Sequence, residues 1–167
     1  MSFQTTIELF QDSMKFSAGH FTIFSATRRE NLHGHNFTVY TAINAIITEN
    51  GMAFDYDIYK DKLRKLCKSL THVFLLAGKS PYSYILEEDN YFIVHFNNEQ
   101  LPFLKRDALI LPLTNITVEE LAMWFLQQLT EDKHALEQDH VQSLTVKIFS
   151  APGQCGSATW MSSSYIS

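Results

Sequence analysis

The chain has 167 residues, enough for one domain with its own core and no need of metal or disulfide staples. Hydrophobic residues make up 46% and charged residues 19%, which excludes an intrinsically disordered chain. A formal net charge of −5 excludes a general nucleic-acid binder, which needs a basic stripe to displace counterions.

Thirteen Phe and seven Tyr point to a β-rich interior. Cys67 and Cys155 form neither a CxxC motif nor a disulfide framework, and free thiols suggest a reducing, cytoplasmic setting. Met1 to Phe10 has no basic start and no apolar run, so no signal peptide is expected. No apolar stretch is long enough for a membrane span.

Thr5 to Phe10 and Lys15 to His20 are expected as a first pair of strands around Gln11 and Asp12, with Phe16, Ala18 and His20 on one face. Phe21 to Leu32 reads as a polar loop carrying Thr27, Arg28, Arg29, Glu30 and Asn31. His33 to Ile47 is the clearest strand. Its more apolar face carries His33, His35, Phe37, Val39, Thr41, Ile43 and Ala45, so both histidines point to the buried side or to the rim of a cavity. Glu49-Asn50-Gly51 signals a hairpin turn, with Met52 to Phe54 starting a returning strand.

Asp55 or Asp57 caps a predicted helix running to about Leu70, with Tyr59, Leu63, Leu66, Cys67 and Leu70 as its apolar stripe. Cys67 is then a small core residue. An irregular stretch follows His72. Ser83 to Leu86 and Tyr91 to Phe96 read as a hairpin, and Ala108 to Leu113 as a short strand. Thr117-Val118-Glu119-Glu120 is a capping box: the Thr117 hydroxyl accepts from the Glu120 amide, and the Glu120 carboxylate reaches back. The helix it opens buries Val118, Leu121, Ala122, Phe125 and Leu129. Leu144, Val146 and Ile148 alternate in a final long strand, and Ser162, Ser163 and Ser164 form a loose tail. The order ββ–α–ββ–α–β predicts an α+β domain with helices on one face of an antiparallel sheet.

Residues two apart on a strand share a face, about 7 Å apart at the backbone. Two imidazoles at that spacing can converge on one ion, as His33 and His35 would. His20 ends a strand with the same inward parity and supplies a third. Three His ligands with an open fourth position describe a catalytic zinc site rather than a structural one. Spacing alone leaves two readings open, this centre or three unconnected histidines. His95, His134 and His140 have no comparable partner and read as ordinary strand or surface residues.

Phe16-Ser17-Ala18-Gly19-His20 followed by Glu30-Asn31-Leu32-His33-Gly34-His35-Asn36 resembles the zinc motifs of the 6-pyruvoyl-tetrahydropterin synthase and 6-carboxy-tetrahydropterin synthase superfamily. Phe54-Asp55-Tyr56 with Lys60, and Thr117-Val118-Glu119 with Leu121-Ala122, resemble the starts of that family's two helices. The resemblance implies one domain over residues 1–167, with a connection at about 76–113 longer than the family's usual one. It implies the tunnelling fold, an antiparallel four-stranded sheet with two helices on one face. It also implies an oligomeric barrel, commonly a homo-hexamer of two trimers, with pterin sites between subunits. The implied cofactor is Zn2+, held by His20, His33 and His35, and the implied partner is a pterin-like small molecule.

Three positions depart from the usual pattern. Family members commonly carry a cysteine base shortly before the HGH motif, where this chain has Arg28, Arg29 and Glu30. Glu30 gives the E-x-x-H-G-H arrangement of the type III subfamily, whose members shorten the side chain of a dihydroneopterin-type substrate to 6-hydroxymethyl-7,8-dihydropterin. The Asp–His relay pair after the first helix is here Thr71-His72, which leaves His72 as the assisting acid or base. The ring-gripping glutamate at the end of the last strand is here Ser150, so substrate contacts fall to Thr117, Glu119, Ser150 and Gln154. A Ser hydroxyl cannot make a carboxylate's charge-assisted bidentate contact.

The first reading is therefore a zinc-dependent pterin lyase acting on 7,8-dihydroneopterin or its triphosphate, with Glu30 as base. Two alternatives stay open. One is a zinc enzyme on the same scaffold with a non-standard substrate. The other is a non-catalytic oligomeric ligand-binding protein.

Overall fold

The computed structural model describes residues 3–163; Met1, Ser2 and 164–167, including Ser164 of the expected tail, lie outside the described residues. In chain order the elements begin with β1 (Gln4–Leu9), β2 (Lys15–His20), β3 (Ile23–Ser25), β4 (Arg28–Arg29) and β5 (His33–Ile46), then α1 (Asp57–Leu70). Next come β6 (Val73–Ala77), β7 (Ser83–Glu88), β8 (Tyr91–Phe96), β9 (Glu99–Leu104) and β10 (Ala108–Leu111). The chain ends with α2 (Val118–Leu129), α3 (Lys133–Gln138), β11 (Val141–Ala151) and β12 (Gln154–Met161). None of the described helices is long and apolar enough to cross a membrane.

The two-residue alternation read from the sequence makes β5 the spine of the sheet. Phe37, Val39, Thr41, Ile43 and Ala45 are buried on one face, while Thr38, Tyr40, Ala42 and Asn44 lie on the other. Strands β1 and β2, expected as a pair, do not pair with each other. They lie end to end along one edge of β5, β1 against residues 41–46 and β2 against residues 33–38. On the other edge β11 pairs with β5, and β12 pairs with β11 as a terminal hairpin that the sequence reading did not include.

The main sheet has seven strands rather than the expected four. Three strands make the difference: β12, β10, which joins parallel to β6, and β6 itself, formed by Val73–Ala77 in the stretch read as irregular after His72 and parallel to β2. Its mixed, largely apolar composition lacks the alternation that marks a half-exposed strand, because β6 has residues packed on both sides (Leu75 and Leu76 are both buried). Met52 to Phe54 forms no strand, although Thr48 accepts a turn hydrogen bond from Gly51. The predicted hairpin at 83–96 is present and gains a third strand, β9, giving a separate three-stranded sheet β7–β8–β9. Ser162 is not loose, since its amide donates to the Gln142 carbonyl at 2.9 Å.

The principal core fills the space between β5, β11 and the helices. Phe16 stacks on Phe37 and Phe125, joining β2, β5 and α2, while Leu63, Cys67 and Leu70 of α1 close the other end. Burial pushes the Cys67 thiol up to about 12, as suits a core residue rather than a reactive one. Thr117 caps α2 as predicted, accepting from the Glu120 amide at 3.3 Å. The Glu120 carboxylate departs from the capping box: it accepts from the Thr114 amide at 3.2 Å, tying the preceding loop to the helix. A second apolar cluster joins Phe21 and Ile23 to Leu76, Val94, Phe96, Leu101 and Ala108, and so seats the three-stranded sheet against the loop that follows β2.

Gly156 lets β12 lie against the first turn of α2. A Cβ there would fall 2.4 Å from the Val118 carbonyl carbon and 2.5 Å from the Glu119 nitrogen, both backbone atoms that cannot swing aside. Gly156→Ala should therefore cost about 1–3 kcal/mol, read as a lowered urea midpoint with unchanged slope. An unchanged midpoint would contradict this close approach.

Candidate metal centre

The antiparallel register sets His20 opposite His33 and Ala18 opposite His35. Opposed residues project to the same side, so the three imidazoles stand together, with the small Ala18 leaving room beside His35. Gly19 opposite Gly34 occupies the reverse face. Ring centroids lie 4.5 Å apart for His20 and His33, 5.2 Å for His20 and His35, and 4.9 Å for His33 and His35. One ligand nitrogen from each lies within 4.8 Å of the others.

Hydrogen bonds select which nitrogen faces inward. His20 Nδ1 donates to the Ile116 carbonyl at 2.9 Å, and His33 Nδ1 donates to the Asn31 carbonyl at 2.8 Å. A carbonyl can only accept, so each Nδ1 carries the proton and each Nε2 presents a lone pair. His20 Nε2 is buried and has no hydrogen-bond partner among the described residues. Leaving such an atom unsatisfied costs about 1–3 kcal/mol, which coordination of a cation would recover. Burial, then the neighbouring His33 and His35, holds the His20 imidazole below its ordinary range, against the opposing pull of its bond to Ile116. His35 is also lowered, by burial and by His33. Neutral imidazoles with aligned lone pairs are the form a divalent metal binds.

Glu30 lies beside this cluster. The loop read as polar and irregular contains the short ribbon β3–β4, after which the Glu30 amide donates to the Thr22 carbonyl at 2.9 Å. The Thr22 amide in turn donates to Glu30 Oε2 at 2.9 Å. This reciprocal pair turns the side chain inward and sets Oε2 3.9 Å from His33 Nε2. Strand parity does not govern Glu30, because β5 begins only at His33. Burial raises the Glu30 carboxyl, but the bonds from Thr22 and the nearby His33 and His20 outweigh it and leave it lowered. An ionised carboxylate follows.

The remaining candidates divide between two places. His72 follows the C-cap of α1 in a left-handed conformation (φ 62°), its amide donating to the Ser17 carbonyl at 2.7 Å. It lines a cleft of about 780 Å³ together with Ser17, Gly19, His35, Asn36 and Phe103. Neither His20 nor His33 lines this cleft. Thr117 and Glu119 open α2, one and three residues after the Ile116 carbonyl that orients His20. Gln154 Nε2 donates to Ser150 Oγ at 2.8 Å across the β11–β12 turn, where the pairing register shifts at Ser150. Close packing of Gly156 on Val118 and Glu119 sets this turn beside the start of α2.

Sequence reasoning missed the groups that orient the cluster: the carbonyls of Ile116 and Asn31, and the Thr22 amide. Backbone partners leave no residue-type signal. Asn115 was the one available hint, because its side chain bonds both the amide of Ile23 (3.1 Å) and its carbonyl (2.8 Å), fixing the segment that holds Ile116. His95 stacks flat on Tyr84 at 4.6 Å, the ordinary strand role expected of it.

The family model for 6-pyruvoyl tetrahydropterin synthase matches residues 10–159. A Pyrococcus abyssi protein with the provisional name 6-carboxy-5,6,7,8-tetrahydropterin synthase is 24% identical over 139 residues, 83% of this chain and 81% of that protein. The 6-pyruvoyl tetrahydropterin synthase structure from Plasmodium falciparum superposes with a TM-score of 0.90 at 26% identity, covering 95% of this chain and 99% of its own. The Plasmodium vivax structure gives 0.90 at 29% identity, covering 96% and 99%. Two further P. vivax structures replace, by alanine and by cysteine, a glutamate described as that enzyme's catalytic residue. With a match spanning nearly all of the described fold, the chain belongs to the 6-pyruvoyl tetrahydropterin synthase family.

Proposed function

We propose that this protein is a zinc-dependent lyase that shortens the side chain of a 7,8-dihydroneopterin-type substrate, with Glu30 as general base. The observation that carries the proposal is the placement of Glu30 Oε2 3.9 Å from His33 Nε2, beside three imidazoles whose ligand nitrogens lie within 4.8 Å of one another. The family supports a pterin-synthase chemistry, and the catalytic glutamate described for P. vivax supports a carboxylate base.

The donor set fits zinc: three imidazole nitrogens, with burial favouring the neutral ring at His20 and His35, and one orphaned buried Nε2. Bound there, zinc supplies a positive charge that stabilises negative charge developing on a side-chain oxygen of the substrate. The Ile116 and Asn31 carbonyls hold the His20 and His33 rings in the ligating tautomer. Glu30, held ionised by Thr22, takes the proton from the hydroxyl on the second side-chain carbon. The bond between the first and second carbons then breaks, releasing an aldehyde, and the first carbon regains a proton to leave a hydroxymethyl group on the ring. Thr117, Glu119, Ser150 and Gln154 are the substrate contacts in this reading. His72, which lines a cleft that neither His20 nor His33 lines, assists in a site built between subunits, which the expected homo-hexamer would provide. The setting is cytoplasmic.

One observation favours a second reading, the same chemistry on a non-standard ring. Ser150 and Gln154 bond each other at 2.8 Å, and this neutral pair stands where a ring-gripping carboxylate is expected.

Purified protein should carry one zinc per chain by elemental analysis, and His33→Ala with His35→Ala should abolish it. Metal-free wild type would contradict the assignment. With dihydroneopterin and its triphosphate as substrates, Glu30→Gln should lower kcat by about 10²–10⁴ while zinc content holds. Full turnover in that variant would remove Glu30 from the role of base.

A further inference from the structure

We infer that Arg29 and Glu99 form a strut through which the three-stranded sheet β7–β8–β9 aims Glu30, making Arg29 a positioning residue. The inference rests on the proposed role of Glu30. Arg29 Nε donates to Glu99 Oε2 at 2.6 Å, from the first residue of β9 to the residue beside the base. Its Nη1 donates at 2.8 Å to the carbonyl of Glu30 itself. One guanidinium thus spans the added sheet and the backbone of Glu30, as its fork geometry permits. The guanidinium also lies over the Phe21 ring, 5.6 Å from its centroid.

A second observation points the same way. Phe21 and Ile23, on the near side of the loop, are buried against Val94, Phe96 and Leu101 of β8 and β9. The loop is therefore held by the sheet at both ends of its ribbon, by apolar packing at Phe21 and Ile23 and by charge at Arg29. Between these anchors sits the reciprocal Thr22–Glu30 pair that turns the carboxylate toward His33. Glu99 is half exposed, so the ion pair adds little to global stability. Its effect is on geometry, where a displacement of about 1 Å at a catalytic group costs up to about a hundredfold in rate.

The test compares Glu99→Ala, Arg29→Ala, Arg29→Lys and the double alanine variant, by hydrogen exchange of the zinc-loaded protein and by steady-state kinetics. The strut predicts faster exchange over residues 22–30 in both single alanine variants, with exchange in α1 and α2 unchanged. It also predicts a fall in kcat of about tenfold with little change in KM. The double variant should be no worse than Arg29→Ala alone, because once the guanidinium is gone Glu99 has no partner in the strut to lose. Arg29→Lys, keeping charge but losing the planar fork that reaches both acceptors, should fall between. Unchanged exchange over 22–30 in Glu99→Ala, or independent losses that multiply in the double variant, would overturn the strut. The Glu30→Gln variant separates the two claims: full turnover there defeats the base assignment, while the exchange data still decide the strut.

Discussion

A strand slipped by one residue turns every side chain to the opposite face, and at the pairing of β2 with β5 such a slip would part His20 from His33. The register is held from the apolar end. Phe16 opposite Phe37 stacks in the core and carries Phe125 of α2 with it, so the same face that buries these rings must present Ala18, His20, His33 and His35 further along. The metal candidates stand at the rim of a packed core, and the core sets their geometry. On the reverse face a Cβ at Gly19 would fall 2.3 Å from the Phe74 ring, which would have to move, and one at Gly34 would lie tight at 3.0 Å from the Ala18 carbonyl oxygen. Both faces of this short pairing are therefore constrained.

Orientation of the rings comes from farther along the chain. Ile116 lies 96 residues from His20, yet its carbonyl fixes the His20 tautomer, and Asn115 and Thr117 on either side fix Ile116. The segment that opens α2 thus serves the helix and the metal candidates together. The second apolar cluster does the equivalent work for Glu30, through Phe21 and Ile23. Ligands rest on the principal core and the base rests on the added sheet, so disturbance of one need not disturb the other.

Much of this was legible in the sequence where a period or a motif carried it. The alternation from His33 onward, the stripe of α1 and the Thr117 cap all appear within a residue or two of their expected places. Other elements were not legible: β6, packed on both sides, has no alternation to read, and β9 contains Pro102, which argues against a strand until its place in a small outer sheet is known. The His triad could be proposed from spacing and parity, whereas the inward turn of Glu30 could not. That turn depends on a backbone exchange with Thr22, eight residues away, and on a loop whose path is set by contacts with β8 and β9.

The proposed chemistry depends on a single nitrogen-ligated cation at His20, His33 and His35. Zinc-edge X-ray absorption of the purified protein measures that shell directly. Three imidazole nitrogens at about 2.0–2.1 Å, with a light oxygen completing the shell and no sulfur, is the predicted spectrum. A sulfur neighbour at about 2.3 Å, which would place a cysteine such as Cys155 on the metal, or the absence of imidazole scattering, would contradict it.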